Sequence, residues 1–139
     1  MTTYRIIEIP RIGDSRGALS VIEGEPLIPF IPGRFFYIYG VPQNAVRGCH
    51  ALKHTEELII ALAGSFTITV DDGDSKADVL LDRPDKGIYI PPLVWHELHD
   101  FAPGTVCGVI ASKPYDKNGY YRSYEDFLNE VRHISGEEQ

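Results

Sequence analysis

The chain has 139 residues, with 43% hydrophobic and 11% aromatic content, enough apolar material for one folded domain with its own core. A formal net charge of −7 argues against polyanionic partners such as nucleic acid or an anionic membrane surface. The first residues carry no secretory h-region, no apolar run is long enough to cross a bilayer, and the two cysteines outline neither a disulfide framework nor a zinc knuckle. The expectation is a cytoplasmic protein with reduced thiols.

Short β-patterned runs dominate, separated by turn signals. Residues 4–9 read as a strand with Glu8 embedded, ended by Pro10. Asp14-Ser15-Arg16-Gly17 reads as a turn, and residues 18–22 as a second strand. Pro26, Pro29 and Pro32-Gly33 mark an irregular connection. Residues 34–39, Arg-Phe-Phe-Tyr-Ile-Tyr, form a strong aromatic strand that breaks at Gly40-Val41-Pro42. Residues 46–52 follow as a short strand. Residues 58–63 and 66–70 flank a bend at Gly64-Ser65, and Asp71-Asp72-Gly73-Asp74 is a hairpin turn. Residues 79–81, 87–91 and 107–111 complete the series.

The C-terminal segment has a different period. Ser123 suits a helix N-cap, Glu125 and Asp126 suit the first turn, and Phe127, Leu128, Val131 and Ile134 recur at helical spacing up to Gly136. Many short strands followed by one helix predict a single all-β domain over 1–139, an antiparallel jelly-roll barrel or sandwich with one C-terminal helix.

The chemistry concentrates at Arg47-Gly48-Cys49-His50-Ala51-Leu52, with His54 and Glu56 beyond. Strand alternation would place His50, Leu52, His54 and Glu56 on one face and Cys49 on the other. Imidazoles and a carboxylate on one face indicate a metal site or an acid/base site. A second cluster follows, from Tyr89 through Trp95-His96-Glu97-Leu98-His99. Together these resemble the cupin pattern, with His50, Glu56 and His96 in matching places, Leu52 where a second histidine is usual, and Leu93 where a glycine is usual. Three ligands could still hold a divalent cation, but losing one from the compact first motif favours a metal-free site.

A narrower resemblance runs over nearly the whole chain. Asp14-Ser15-Arg16-Gly17, Phe36-Tyr37-Ile38-Tyr39, Arg47-Gly48-Cys49-His50-Ala51, Asp71-Asp72-Gly73, Gly87-Ile88-Tyr89, the run from Val94 to Phe101, Ala111-Ser112 and Tyr115-Asp116 together resemble the dTDP-sugar 3,4-ketoisomerases, small cupin enzymes of deoxysugar biosynthesis. The resemblance implies a reaction without metal or cofactor, in which a dTDP-linked 4-oxo-6-deoxy sugar becomes the 3-oxo sugar through an enediol. It assigns His50 the proton transfer between C3 and C4. The family pattern His-Ala-His ends here in Leu52, so the second role would pass to His54, to Tyr37 or to water. Tyr37 would donate to a sugar oxygen, and Arg16 and Arg47 would hold the diphosphate. Tyr39, Tyr89 and Trp95 would stack on thymine or line the sugar pocket, with His96 beside them.

The resemblance further implies a homodimer that exchanges N-terminal strands. Its product would pass to a PLP-dependent aminotransferase making an amino deoxysugar for a surface polysaccharide such as an O-antigen, or for a glycosylated natural product. Two other functions fit the same residues: a nucleotide-sugar epimerase, or a non-catalytic nucleotide-sugar-binding cupin.

Overall fold

Hydrophobic alternation in this chain is resolved by stacking two sheets, each contributing one apolar face to a shared interior. The computed structural model describes residues 3–137. One antiparallel sheet has the order β1-β9-β6-β11-β4, from β1 (Arg5–Glu8), β9 (Lys86–Ile90), β6 (Glu57–Ala63), β11 (Val106–Ala111) and β4 (Arg34–Tyr39). The other has the order β12-β5-β10-β7-β8, from β12 (Tyr120–Tyr121), β5 (Arg47–Leu52), β10 (Trp95–His99), β7 (Phe66–Asp71) and β8 (Lys76–Leu81). A separate hairpin pairs β2 (Ile12–Asp14) with β3 (Gly17–Leu19). The chain ends in helix α1 (Tyr124–Glu137). The class is all-β with a C-terminal helix, as expected, built as two separately hydrogen-bonded sheets rather than one closed barrel.

Ile59, Phe66, Ile68, Val70, Ile88 and Val109 meet between the sheets. Phe66 and Phe101 stack there with ring centroids 5.1 Å apart. The outer face of the first sheet buries Ile7, Leu58, Ile60 and Tyr89 under Ile28 and Phe30 from the proline-rich connection. The outer face of the second sheet buries Ala51 and Trp95 under Phe127 of α1. Ser123 starts that helix as a cap, its hydroxyl accepting from the Asp126 N–H at 3.3 Å.

Strand 34–39 falls where its sequence places it, with Arg34, Phe36 and Ile38 turned inward and Phe35, Tyr37 and Tyr39 outward. Several boundaries differ. β3 ends at Leu19 rather than residue 22, because its partner β2 runs out at Ile12, just beyond Pro10 and its missing N–H. The strands β2, β10 and β12 have no clear apolar alternation and carry no sequence signature. Gly136 lies inside α1 instead of ending it, a site where glycine costs about 1 kcal/mol relative to alanine without breaking the helix.

Candidate active site

β5 meets β10 out of simple register. His50 faces His96, and Gly48 faces Glu97, so Cys49 is an extra residue with no partner across the ladder. Gly48 (φ 80°) and Cys49 (φ 59°) take left-handed conformations at this bulge. A Cβ on Gly48 would sit 3.1 Å from the His96 carbonyl oxygen, so glycine permits the close approach. Past the bulge, His50 points between the sheets, while Cys49 packs outward with Ala51 and Trp95.

His50 opens onto a cavity of about 380 Å³. Its floor carries Glu57 of β6 and His96 of β10; its apolar wall includes Phe36, Ile59 and Val109. Arg47, Arg34 and Arg122 stand around it with Tyr115 and Tyr120. The Arg122 guanidinium lies 4.4 Å from the Tyr120 ring centroid, and that of Arg34 lies 4.8 Å from Phe36 and 5.6 Å from Tyr115. These stacks fix two of the three cations around one cavity, Arg34 and Arg122, in a chain of net charge −7. The Nε of Arg34 is buried with no hydrogen-bond partner among the described residues.

The His50 and His96 rings meet edge to face, centroids 4.9 Å apart, and Tyr120 lies 4.9 Å from His50 on another side. Burial, then the charge of His96, then that of Arg122 push the His50 imidazole down to about 3. His50 is therefore neutral across the physiological range, able to accept a proton. His96 Nδ1 lies 3.1 Å from the Val94 carbonyl oxygen. A carbonyl only accepts, so Nδ1 carries the hydrogen and Nε2 turns to Glu57 Oε1, 3.4 Å away. Both partners are almost fully buried.

Donor atoms of His50, Glu57 and His96 lie within 4.8 Å of one another. They fit a divalent cation poorly, since buried Leu52 stands in the next position of β5 on that face and Glu57 is already paired with His96. Burial also pushes the neighbouring Cys107 thiol up to about 12, with Glu57 adding to the shift and Arg47 opposing it.

Of the residues expected from sequence, His50, Arg34, Arg47 and His96 share this cavity. The others lie elsewhere. Tyr37 and Tyr39 are 57% and 69% exposed on the outer face of β4, where Phe35, Tyr37 and Tyr39 form a ladder; Phe36 occupies the inward position instead. His54 lies beyond the end of β5, because Lys53 leaves the ladder to bond the Gly119 carbonyl; it lines a smaller cleft with Leu52, Thr55 and Lys113.

That break also resets the alternation, so Glu57 rather than Glu56 points inward. Glu56 accepts from the Tyr89 hydroxyl at 2.6 Å. Tyr89 is thus a core residue, and burial, then that hydrogen bond, push its phenol upward. Trp95 is core on the opposite face, its indole N–H donating to Glu97 at 2.7 Å. Arg16 sits at the β2–β3 turn, 87% exposed and paired with Asp14. Arg34, a candidate cation for an anionic ligand from sequence along with Arg16 and Arg47, does line the cavity, whereas sequence reasoning missed Glu57, Tyr115, Tyr120 and Arg122. Tyr115 lay within a noticed motif, but only tertiary contact joins it to the site.

A family model described as FdtA, WxcM-like, C-terminal, matches residues 2–132. A curated TDP-4-oxo-6-deoxy-alpha-D-glucose-3,4-oxoisomerase from Aneurinibacillus thermoaerophilus is 38% identical over 135 residues, 97% of each chain. The crystal structure of QdtA, a sugar 3,4-ketoisomerase from Thermoanaerobacterium thermosaccharolyticum in complex with TDP, superposes with a TM-score of 0.91 at 36% identity, covering 95% of this chain and 96% of that one. A histidine-to-asparagine mutant of the same enzyme, in complex with TDP-4-keto-6-deoxyglucose, superposes with a TM-score of 0.91 at 35% identity, covering 96% of each chain.

Proposed function

The chain belongs to the FdtA family, and from that premise we propose that it is a sugar 3,4-ketoisomerase acting on a TDP-linked 4-oxo-6-deoxyhexose. The observation that carries this reading is His50: a neutral imidazole in a cavity with one apolar wall and a rim of arginines and tyrosines, beside a paired histidine and carboxylate. The C4 carbonyl acidifies the proton on C3. His50 takes that proton, an enediolate forms, and the proton returns at C4 while the oxygens exchange theirs. A base held near 3 in the free site is weak, but negative charge from the diphosphate and the enediolate favours its protonated form. Arg47, Arg34 and Arg122 suit the diphosphate, and Tyr115 and Tyr120 offer faces for the base or sugar. Water excluded by the bound sugar would strengthen each of these contacts.

The working form is a homodimer. The ladder Phe35, Tyr37 and Tyr39 is bare in a single chain, as are Ile12 and Leu19 on the β2–β3 hairpin and Ile31 at 86% exposure. Apolar surface of this kind is covered when a second copy docks. Tyr37, Tyr39 and Arg16 belong to that contact, which carries the hairpin of one copy to the ladder of the other. A nucleotide-linked sugar substrate suits a cytoplasmic enzyme, and a 3-oxo product suits a transaminase making an amino deoxysugar.

Incubation with TDP-4-oxo-6-deoxyglucose in D2O, followed by NMR, tests the reading. A 3-oxo sugar is the expected result, with deuterium at C4 to the extent that the proton on His50 exchanges with solvent before delivery. Exchange at C3 or C5 with inverted configuration and no 3-oxo product would make the chain an epimerase. Tight binding with no exchange would make it a binding protein.

A further inference from the structure

An oxo group cannot move from C4 to C3 with one base alone. The carbon-bound proton needs an acceptor, and separately O3 must lose a proton while O4 gains one. His50 supplies the first function. The residues expected to supply the second lie outside the cavity or carry no proton: Tyr37 faces outward, His54 lies past the end of β5, Leu52 is apolar, and Phe36 is the aromatic residue of β4 that turns inward.

The geometry points to Glu57 and His96 as the second proton-handling unit, with His96 facing the sugar oxygens and Glu57 as the positioning residue that holds it. Three observations carry this inference, which rests on the ketoisomerase reading. His96 is oriented at one end by its Nδ1–H to the Val94 carbonyl, 3.1 Å away, and at the other by Glu57 Oε1, 3.4 Å from Nε2. With Nδ1 donating to Val94, Nε2 lies 3.4 Å from Glu57 Oε1, close enough for the two groups to share one proton and loose enough for Nε2 to turn it to a bound sugar oxygen. The pair is thus built to carry a proton at the cavity. Opposite it, 4.9 Å between ring centroids, His50 brings an unprotonated nitrogen able to accept a proton. Acid and base thus stand side by side, set apart by their surroundings, the arrangement that divides the two roles in an acid/base site.

The proton count closes. His50 takes hydrogen from C3, the pair gives its proton to O4, O3–H returns one to the pair, and His50 delivers its proton to C4. Both groups end as they began. The charged and titratable groups facing the pair are His50 and Arg47 from β5, Arg34 from β4, Cys107 from β11, and Tyr115, Tyr120 and Arg122 from the segment before α1. Each cation favours the enediolate.

The test compares Glu57→Gln, Glu57→Asp and His96→Asn with the parent in D2O, measuring C3 exchange in recovered substrate and 3-oxo product in one sample. Glu57→Gln is isosteric and tests the proton rather than the packing. The expected result is that Glu57→Gln and His96→Asn lose product at least tenfold more than they lose C3 exchange, while Glu57→Asp recovers part of the product. Equal loss of exchange and product, or turnover at the parent rate, would overturn the proposal. A parent that neither exchanges nor converts the sugar overturns the ketoisomerase reading instead. In that case ¹⁵N-histidine NMR of the ligand-free protein still judges the pair: a protonated Nδ1 on His96 is expected, and an unprotonated Nδ1 would overturn it.

Discussion

The two faces of β4 are built from the same short aromatic sequence and do opposite work. Inward, Arg34, Phe36 and Ile38 wall a cavity that also holds His50, His96 and Glu57. Outward, Phe35, Tyr37 and Tyr39 form a ladder with centroids 5.7–5.8 Å apart that the described residues leave more than half exposed. The inner face gains its chemistry from enclosure: burial is the largest influence on His50, and pairing within the same interior orients His96. The outer face has aromatic area but no enclosure, and in the proposed homodimer its residues act by contact with a second copy. Residue type alone does not separate the two faces; a one-residue phase does.

The largest effect expected from this contrast is on the inner face. His50→Asn should leave the fold and TDP binding intact and lower isomerisation by about 10³-fold, within the usual range for an acid/base residue. A coupled assay of 3-oxo product measures it, and retention of more than a tenth of the parent rate would remove His50 from its role. On the outer face, Tyr37→Ser with Tyr39→Ser should act on assembly. Sedimentation velocity should show dissociation at concentrations where the parent remains a dimer. A variant that stays dimeric, yet loses turnover, would move these tyrosines from the contact to the chemistry.

The smallest effect is on stability. His50 sits near 3 when folded and near 6.5 when exposed, so the unfolded chain binds more protons between those values. Stability is therefore fully present above about pH 6.5 and is lost as pH falls toward 3, by at most about 1.4 kcal/mol per pH unit for one group. Urea midpoints at pH 7, 6 and 5 should fall less steeply in His50→Asn than in the parent. Equal slopes would mean that His50 is not held neutral by the fold.

Much of this contrast can be read from the sequence, and its limits have physical causes. Strand 34–39 is legible to the residue because aromatic and β-branched side chains alternate without interruption, and the helix is legible from Ser123 and its apolar spacing. β10 is not, because Pro91-Pro92 precedes it and only one of its two inward residues, Leu98, is aliphatic, the other being His96. Alternation finds His50 but fails four residues later, since it cannot foresee that Lys53 leaves the ladder for Gly119 and shifts the inward carboxylate to Glu57. The bulge at Cys49 is likewise set by pairing with β10, a strand nearly fifty residues away in the chain. Tyr120 and Arg122 reach the site through a two-residue strand paired to Ala51 and Leu52, a contact with no local signature. Tyr37 and Tyr39 were expected at the site because their motif resembles the family's. Their exposure is a property of the inward and outward phase, which the motif does not encode.

The most direct measurement is a crystal structure of the His50→Asn variant with TDP-4-oxo-6-deoxyglucose. The sugar ring should lie in the cavity, with C3 and C4 toward residue 50, O3 and O4 toward His96, and the diphosphate among Arg34, Arg47 and Arg122. A sugar bound against the outer face of β4, or a ring turned with C3 and C4 away from residue 50, would contradict the account.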